Sequence, residues 1–105
     1  MIYRALGGEE NLHKALKYQN KAIKINEKVL DANHPNLAVS YNNLSSIYQD
    51  LGGEENLHKA LKYQNKAIEI GNSSLHPQHP YLATFVFRKE DILNSLKKYN
   101  SDGEK

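Results

Sequence analysis

The chain contains no cysteine and no tryptophan, only three prolines, and no long run of apolar residues. Without cysteine it forms no disulfide and offers no thiol nucleophile, cysteine-ligated zinc or iron–sulfur site. No apolar segment approaches the roughly 18 residues that a membrane span needs, and no basic-then-apolar signal segment opens the chain. We therefore expect a cytoplasmic protein with no membrane partner and no cofactor.

An excess of charge of one sign is also missing. The 14 basic and 12 acidic side chains give a net charge of +2 over 105 residues. Nucleic-acid binding normally requires a larger basic excess, so we expect no nucleic-acid partner. The length suits a single domain with three to five helices around a modest core. Abundant Leu, Lys, Ala, Glu and Gln favour helices.

An internal repeat organises the sequence. Residues 6–23 and 51–68 both read LGGEENLHKALKYQNKAI, at an offset of 45 residues. A second match pairs residues 34–38 with residues 79–83, both beginning His-Pro. A fixed period of this length indicates stacked supersecondary units that bury one face against the next. We predict an all-α fold of antiparallel helix-turn-helix repeats that form a superhelical solenoid.

The period divides the chain into about two and a third units. We predict an incomplete unit over 1–34, a complete unit over 35–79, a terminal helix over 80–98 and a disordered tail over 99–105. Helices are expected near residues 9–30, 35–51, 55–73 and 80–98. Because residue 1 aligns with Ser46, the chain has the pattern of a fragment or of the degenerate end of a longer array.

An apolar stripe marks the core side of the helix predicted over 35–51. Its members are spaced four and three residues apart, as one face of a helix requires: Leu37, Tyr41, Leu44, Tyr48 and Leu51. Pro35 suits the first turn of this helix, and the pair Gly52-Gly53 ends it. The same residues begin the complete unit and separate its two helices.

The complete unit carries the pattern Tyr41-x-x-Leu44-Ser45-x-x-Tyr48, followed by Ala60-x-x-x-Gln64-x-x-Ala67. This pattern resembles the tetratricopeptide repeat, in which small residues let the two helices of a unit approach closely. Tyr41 stands where the family pattern prefers Trp, Ser45 where it prefers Gly, and Gln64 where it has a large residue. The resemblance covers about residues 2–84 and implies a protein-interaction module that is not an enzyme.

The connection between units resembles the kinesin light chain type of this repeat. It reads Val29-Leu30-x-x-x-His34-Pro35, and the next helix contains Asn42-Asn43-Leu44. The turn inside each unit carries an additional Gly-Glu-Glu, at 53–55 and at 8–10. We predict that this insertion lengthens the turn without changing how the paired helices pack.

The resemblance further implies that the first helices of successive units line a concave groove holding an extended peptide. Candidate groove residues lie off the apolar stripe: Val39, Asn42, Asn43, Ser46, Gln49 and Asp50, and at the equivalent later positions Thr84, Phe87, Arg88 and Asp91. Asn43 best matches the asparagine that holds peptide backbone in the family, since an amide offers a donor and an acceptor. Arg88 is expected to pair with a ligand carboxylate. The alternative is that Asn42 and Asn43 only brace helix contacts.

Other polar patterns have structural interpretations that we prefer. The spacing His76-x-x-His79 suits a metal, but no third ligand lies nearby in sequence, so we expect no metal site. His34 and His79 precede helix-opening prolines and are interpreted as caps or loop braces. The glutamate pairs stand near helix starts, where negative charge is favourable. No nucleophile and base can be paired by spacing.

Two further patterns leave alternatives open. Lys59, Lys62 and Lys66 form a stripe that is either a basic binding face or a solvated outer face, and we prefer the latter. Tyrosine is frequent, at 7 residues. Aromatic rings among basic residues can stack nucleic-acid bases, but we prefer core packing.

Self-association is the alternative to peptide binding. The segment before the first predicted helix lacks the positions equivalent to Leu37, Tyr41 and Leu44. We expect this to uncover a set of apolar side chains on that helix: Leu12, Leu16, Ala22 and Ile23. Phe85 and Phe87 are expected to be uncovered on the last helix. We therefore predict a homodimer, with pairing through the N-terminal helix preferred.

Overall fold

A computed structural model describes residues 8–104, apart from the side chains of Glu9 and of residues 100–104. Four helices follow one another: α1 (Glu9–Val29), α2 (Pro35–Leu51), α3 (Glu54–Ser74) and α4 (Pro80–Glu104). Each packs on the next, and the short connections make consecutive helices antiparallel. The described part of the chain contains no strand. The prediction of an all-α helical repeat is therefore confirmed.

Histidine caps the helices that follow the inter-unit connections. The His34 ring Nδ1 accepts a hydrogen bond of 3.0 Å from the backbone N–H of Asn36, and Pro35 opens α2. His79 Nδ1 likewise accepts from the N–H of Tyr81, at 3.1 Å. Each ring satisfies one of the N–H groups that the first helical turn leaves without a partner. The cap interpretation of these histidines is confirmed.

The turn between α2 and α3 consists of two glycines. Gly52 has φ 75° and Gly53 has φ 85°, a region that other residues adopt only with strain. The prediction that the insertion lengthens this turn is wrong, because Glu54 and Glu55 belong to the first turn of α3. Their carboxylates favour the helix N-terminus and lie within 4.0 Å of the side chains four residues on.

Helix α2 is central to the core. The larger cluster joins buried side chains of all four helices: Ile23, Leu37, Ala38, Tyr41, Leu44, Ala67, Ile70 and Phe85. A smaller cluster joins α3 to α4: Leu57, Ala60, Ile92 and Leu96. Between α2 and α3, the buried Ser45 hydroxyl donates a hydrogen bond of 2.8 Å to the Ala60 carbonyl. A larger side chain at either position would separate the two helices.

The two interfaces between units use different chemistry at equivalent positions. In the first, Asn26 Nδ2 donates a hydrogen bond of 3.2 Å to Ser40 Oγ. In the second, the residues 45 positions later are Gly71 and Phe85. A Cβ at Gly71 would lie 3.4 Å from the Phe85 ring and 2.8 Å from Leu82 Cδ2. The absent side chain of Gly71 therefore makes room for the aromatic ring.

The predicted exposure of apolar side chains on α1 and α4 needs correction. On α1, Leu12 and Ile23 are buried and Leu16 and Ala22 are half-buried, since Ile23 and Leu16 pack on the larger cluster. On α4, Phe85 is buried in the space left by Gly71. Phe87 is exposed, as predicted. Among the described residues, the other exposed large apolar side chains lie at positions for which no exposure was predicted: Tyr18, Ile25, Val29, Tyr81, Val86 and Leu93.

The last helix is longer than predicted. The sequence predicted an end near residue 98 and a disordered tail over 99–105, whereas α4 continues to Glu104. Tyr99 packs against the smaller cluster and extends the core side of the helix by another turn. Residues 1–7, which belong to the predicted incomplete unit 1–34, and Lys105 lie outside the described residues.

Candidate functional site

A chain of hydrogen bonds joins the first helix of one unit to the first helix of the next. Arg88 Nη1 on α4 donates a hydrogen bond of 3.1 Å to Gln49 Oε1 on α2. Gln49 Nε2 in turn donates to Asp91 Oδ2, at 2.6 Å. Three predicted groove residues therefore come together. The sequence predicted that Arg88 pairs with a carboxylate of the ligand, whereas in the structure it donates a hydrogen bond to Gln49.

A second link between α2 and α4 passes through α3. Gln64 is 0% exposed, and its Nε2 donates to Asn42 Oδ1 at 3.1 Å and to the Phe85 carbonyl at 2.9 Å. The preceding unit repeats part of this link, since Gln19 Nε2 donates to the Ser40 carbonyl at 3.3 Å. Sequence reasoning did not include Gln64 in the site. The sequence did contain a signal for Gln64, which is an amide at an otherwise apolar core position. Buried amides require hydrogen-bond partners, so such a residue indicates a polar contact inside the core.

The predicted groove residues differ in exposure. Asn43, Asp50, Thr84, Phe87 and Asp91 are exposed, and Val39, Asn42, Gln49 and Arg88 are half-buried. Ser46 is 1% exposed, so its assignment to the groove surface is wrong. The reason is the central place of α2, which packs against both α1 and α3 and leaves only a narrow face for solvent. We call the remaining nine residues the α2–α4 surface.

This surface offers one large apolar contact and one cavity. Phe87 is 73% exposed, more than any other large apolar side chain that the structure describes. Near the Gly52-Gly53 turn, a cavity of about 440 Å³ is lined by Gln49, Asn94 and Tyr99 among others. It is a shallow depression that is largely open to solvent, and Gln49 is its one lining residue from the α2–α4 surface. The cavity meets the polar chain at Gln49, and Phe87 precedes Arg88 on α4.

Comparison with known protein families identifies the family of this sequence. Two profiles described as tetratricopeptide repeat match the sequence, over residues 4–56 and 37–81. The first spans half of the chain and includes α1 and α2. The chain belongs to the tetratricopeptide repeat family. Searches of curated proteins and of solved structures gave no match. Tetratricopeptide repeats are protein–protein interaction modules without catalysis of their own, which implies a protein partner.

Within the complete tetratricopeptide repeat, tyrosines of the two helices stack. The Tyr63 ring lies 5.9 Å from the rings of Tyr41 and Tyr48, centroid to centroid, at angles of 11° and 6°. Tyr41 is buried, which confirms that it packs in the core. The ammonium groups of Lys59, Lys62 and Lys66 lie 5.3–5.7 Å from these ring centroids. This lysine stripe is exposed to solvent and also makes cation–π contacts.

Tyr41 also contacts the preceding repeat. Its hydroxyl donates a hydrogen bond of 2.5 Å to Glu27 Oε2 on α1. Burial, and then the hydrogen bond and negative charge of Glu27, raise the pKa of Tyr41 to about 12. The two side chains help to line a concavity of about 450 Å³ between α1 and α3. The phenol is protonated at neutral pH and can act there only as a donor to the carboxylate.

The histidines are not arranged as a metal site within the described residues. Nowhere in the described part do three or more His, Asp or Glu side chains gather closely enough to hold an ion. The ring Nδ1 of His76 accepts a hydrogen bond of 3.1 Å from the N–H of Gln78, as that of His79 does from Tyr81. Across residues 8–104, none of the four helices is both long and apolar enough to cross a bilayer.

Proposed function

We propose that this tetratricopeptide repeat segment binds an extended peptide of a partner protein on the α2–α4 surface. The observation that carries the proposal is the bridge that Gln49 makes from Arg88 to Asp91 across the two helices. The bridge fixes polar side chains of α2 and α4 before any ligand arrives, and α4 also carries the exposed ring of Phe87. Preorganised groups cost less entropy on binding, which favours affinity.

The same proposal assigns the repeats to the kinesin light chain type and the protein to the cytoplasm. The Val29-Leu30 to His34-Pro35 connection and the Asn42-Asn43-Leu44 run support the type. Asn43 is exposed on α2 and is available to contact peptide backbone. We also propose that the chain has no enzymatic activity, in keeping with the non-catalytic role of the repeat family.

Peptide selection tests this proposal. Peptides are selected from a displayed library against the full chain, and their affinity is measured by fluorescence anisotropy. Burying the Phe87 ring contributes about 1.5–3 kcal/mol, so Phe87→Ala should weaken binding roughly tenfold or more. Tyr18→Ala is the matched control, because Tyr18 is also an exposed aromatic residue but lies on α1. Equal affinities for the wild type and Phe87→Ala would refute the site.

Self-association is a second candidate function, and a specific stripe on α1 favours it. Tyr18, Ile25 and Val29 are 59%, 61% and 70% exposed and lie on one helix face, at spacings of seven and four. We propose that this face pairs with a second copy of the chain. Light scattering after gel filtration at tens of micromolar should then give twice 12.0 kDa. Ile25→Glu should restore the monomer mass, and a wild type already at 12.0 kDa would exclude the dimer.

A further inference from the structure

The orientation of the Gln64 amide follows from its anchor on α4. The Phe85 backbone carbonyl can only accept a hydrogen bond, so the amide atom 2.9 Å from it must be the nitrogen Nε2. That nitrogen carries a second N–H, which points at Asn42. Because Gln64 is 0% exposed, no bulk water competes for this N–H. The side-chain amide of Gln64 therefore has one permitted orientation.

This orientation fixes the neighbouring amide in turn. The second N–H of Gln64 needs an acceptor, and only the oxygen of the Asn42 amide can serve, at 3.1 Å. The nitrogen of Asn42 then points the other way. Asn42 is half-buried, and its side chain makes no other hydrogen bond within the described residues. Its two N–H donors are therefore directed at the α2–α4 surface.

The neighbouring polar groups complete a directional pattern. Gln49 has its oxygen engaged by Arg88 and its nitrogen engaged by Asp91. The carboxylate of Asp91 is exposed and can only accept hydrogen bonds. Asn42 thus provides donors on α2, and Asp91 provides acceptors on α4. An extended peptide carries C=O acceptors and N–H donors along its backbone, so it can meet both the donors of Asn42 and the acceptors of Asp91.

We propose that Gln64 is a positioning residue that makes Asn42 a donor-only contact, so that a bound peptide places a backbone carbonyl at Asn42 and an N–H at Asp91. The inference rests on the proposed peptide-binding function. It assigns recognition to Asn42, whereas sequence reasoning gave that role to Asn43. Gln64 acts through Asn42 from inside the core and does not touch the peptide.

Substitutions at Asn42 and Gln64 test the binding half of the inference with a peptide selected as above. Asn42→Asp keeps an oxygen for Gln64 but turns an oxygen toward the peptide carbonyl, so affinity should fall about tenfold. Gln64→Met should weaken binding severalfold by releasing Asn42. Gln19→Met is the matched control, because it removes the equivalent bond to Ser40 and leaves Asn42 untouched. Its peptide affinity should equal that of the wild type.

Side-chain amide NMR of the free protein supplies a readout that a merely structural Gln64 would not change. The Gln64 amide protons should exchange slowly with solvent, and the Asn42 amide protons quickly until peptide is added. In Gln64→Met, the peptide-induced shift of the Asn42 amide should be reduced. Slow exchange of the Asn42 amide without peptide would overturn the assigned orientation.

The outcomes separate this inference from the function on which it rests. If Phe87→Ala weakens binding and Asn42→Asp does not, the inference is overturned and the peptide surface stands. If neither substitution weakens binding of the selected peptide, the peptide surface itself is wrong. If Gln19→Met weakens binding as much as Gln64→Met, the effect of Gln64 is on stability alone, and the positioning role is refuted.

Discussion

Removal of the Tyr41 hydroxyl should destabilise the fold, by an amount that depends on pH in a defined direction. Tyr41 is 6% exposed, and its hydroxyl donates to the carboxylate of Glu27 on the preceding repeat. A hydrogen bond to a charged group contributes about 1.5–3 kcal/mol. Glu27 is exposed and recovers some hydration when the bond is lost. We expect Tyr41→Phe to lower the free energy of unfolding by about 1–2 kcal/mol at pH 7.

The pH dependence follows from the raised pKa. Tyr41 titrates at about 12 in the folded chain and near 10 when unfolded. The stability it provides is complete below pH 10 and is lost as the pH rises through 12, because the unfolded state releases its proton first. The difference between wild type and Tyr41→Phe should therefore shrink by about 1 kcal/mol at pH 11.

Urea unfolding followed by circular dichroism at pH 7, 9, 10 and 11 measures this difference. Tyr18→Phe is the matched control, because Tyr18 is 59% exposed, and it should not change stability at pH 7. The difference in unfolding free energy between wild type and Tyr41→Phe at each pH removes the contributions of the lysines and the remaining tyrosines. A difference that stays constant from pH 7 to pH 11 would refute the raised pKa of the buried Tyr41.

Three further predictions concern caps and packing. His34→Ala should cost about 0.5–2 kcal/mol in chemical denaturation, and His34→Asn should recover most of it, because asparagine also caps helices. Ser45→Val should lower stability by about 1–3 kcal/mol, since the hydroxyl contacts the Ala60 carbonyl and leaves no space for a larger group; unchanged thermal unfolding would contradict this close approach. Deletion of residues 53–55 should lower the melting temperature by more than a few degrees, because it removes part of the first turn of α3. A melting temperature within a few degrees of wild type would indicate that these residues only lengthen the turn.

The helices and their order were predictable because they depend on local signals. The stripe through Leu37 and Leu44 has helical period, and the His-Pro pairs mark helix starts. The end of α4 was not predictable in this way, since Tyr99 packs on a cluster that joins α4 to α3. The helical state of Glu54 was available from the sequence, because glutamate favours the first helical turn.

The candidate surface was predictable in outline and not in detail. A 45-residue period places equivalent helices side by side, so the approach of Gln49 to Arg88 and Asp91 agrees with the predicted groove. Which atoms meet depends on side-chain rotamers that periodicity does not specify. The burial of Ser46 and the role of Gln64 depend on how three helices enclose one position. Both depend on tertiary packing, which no local sequence pattern specifies.

The different pairs at the two repeat interfaces limit how this array can grow by gene duplication. A tandem copy of residues 35–79 would place a second Ser40 against Gly71, where Phe85 now fills the space. The new junction would have a void in place of the ring and a serine hydroxyl without the amide that Asn26 supplies. Duplication would therefore produce a weakened chain until a compensating substitution appeared at one of the two positions. Each junction between repeats would need its own matched pair of residues, even while the surrounding helices remained identical letter for letter.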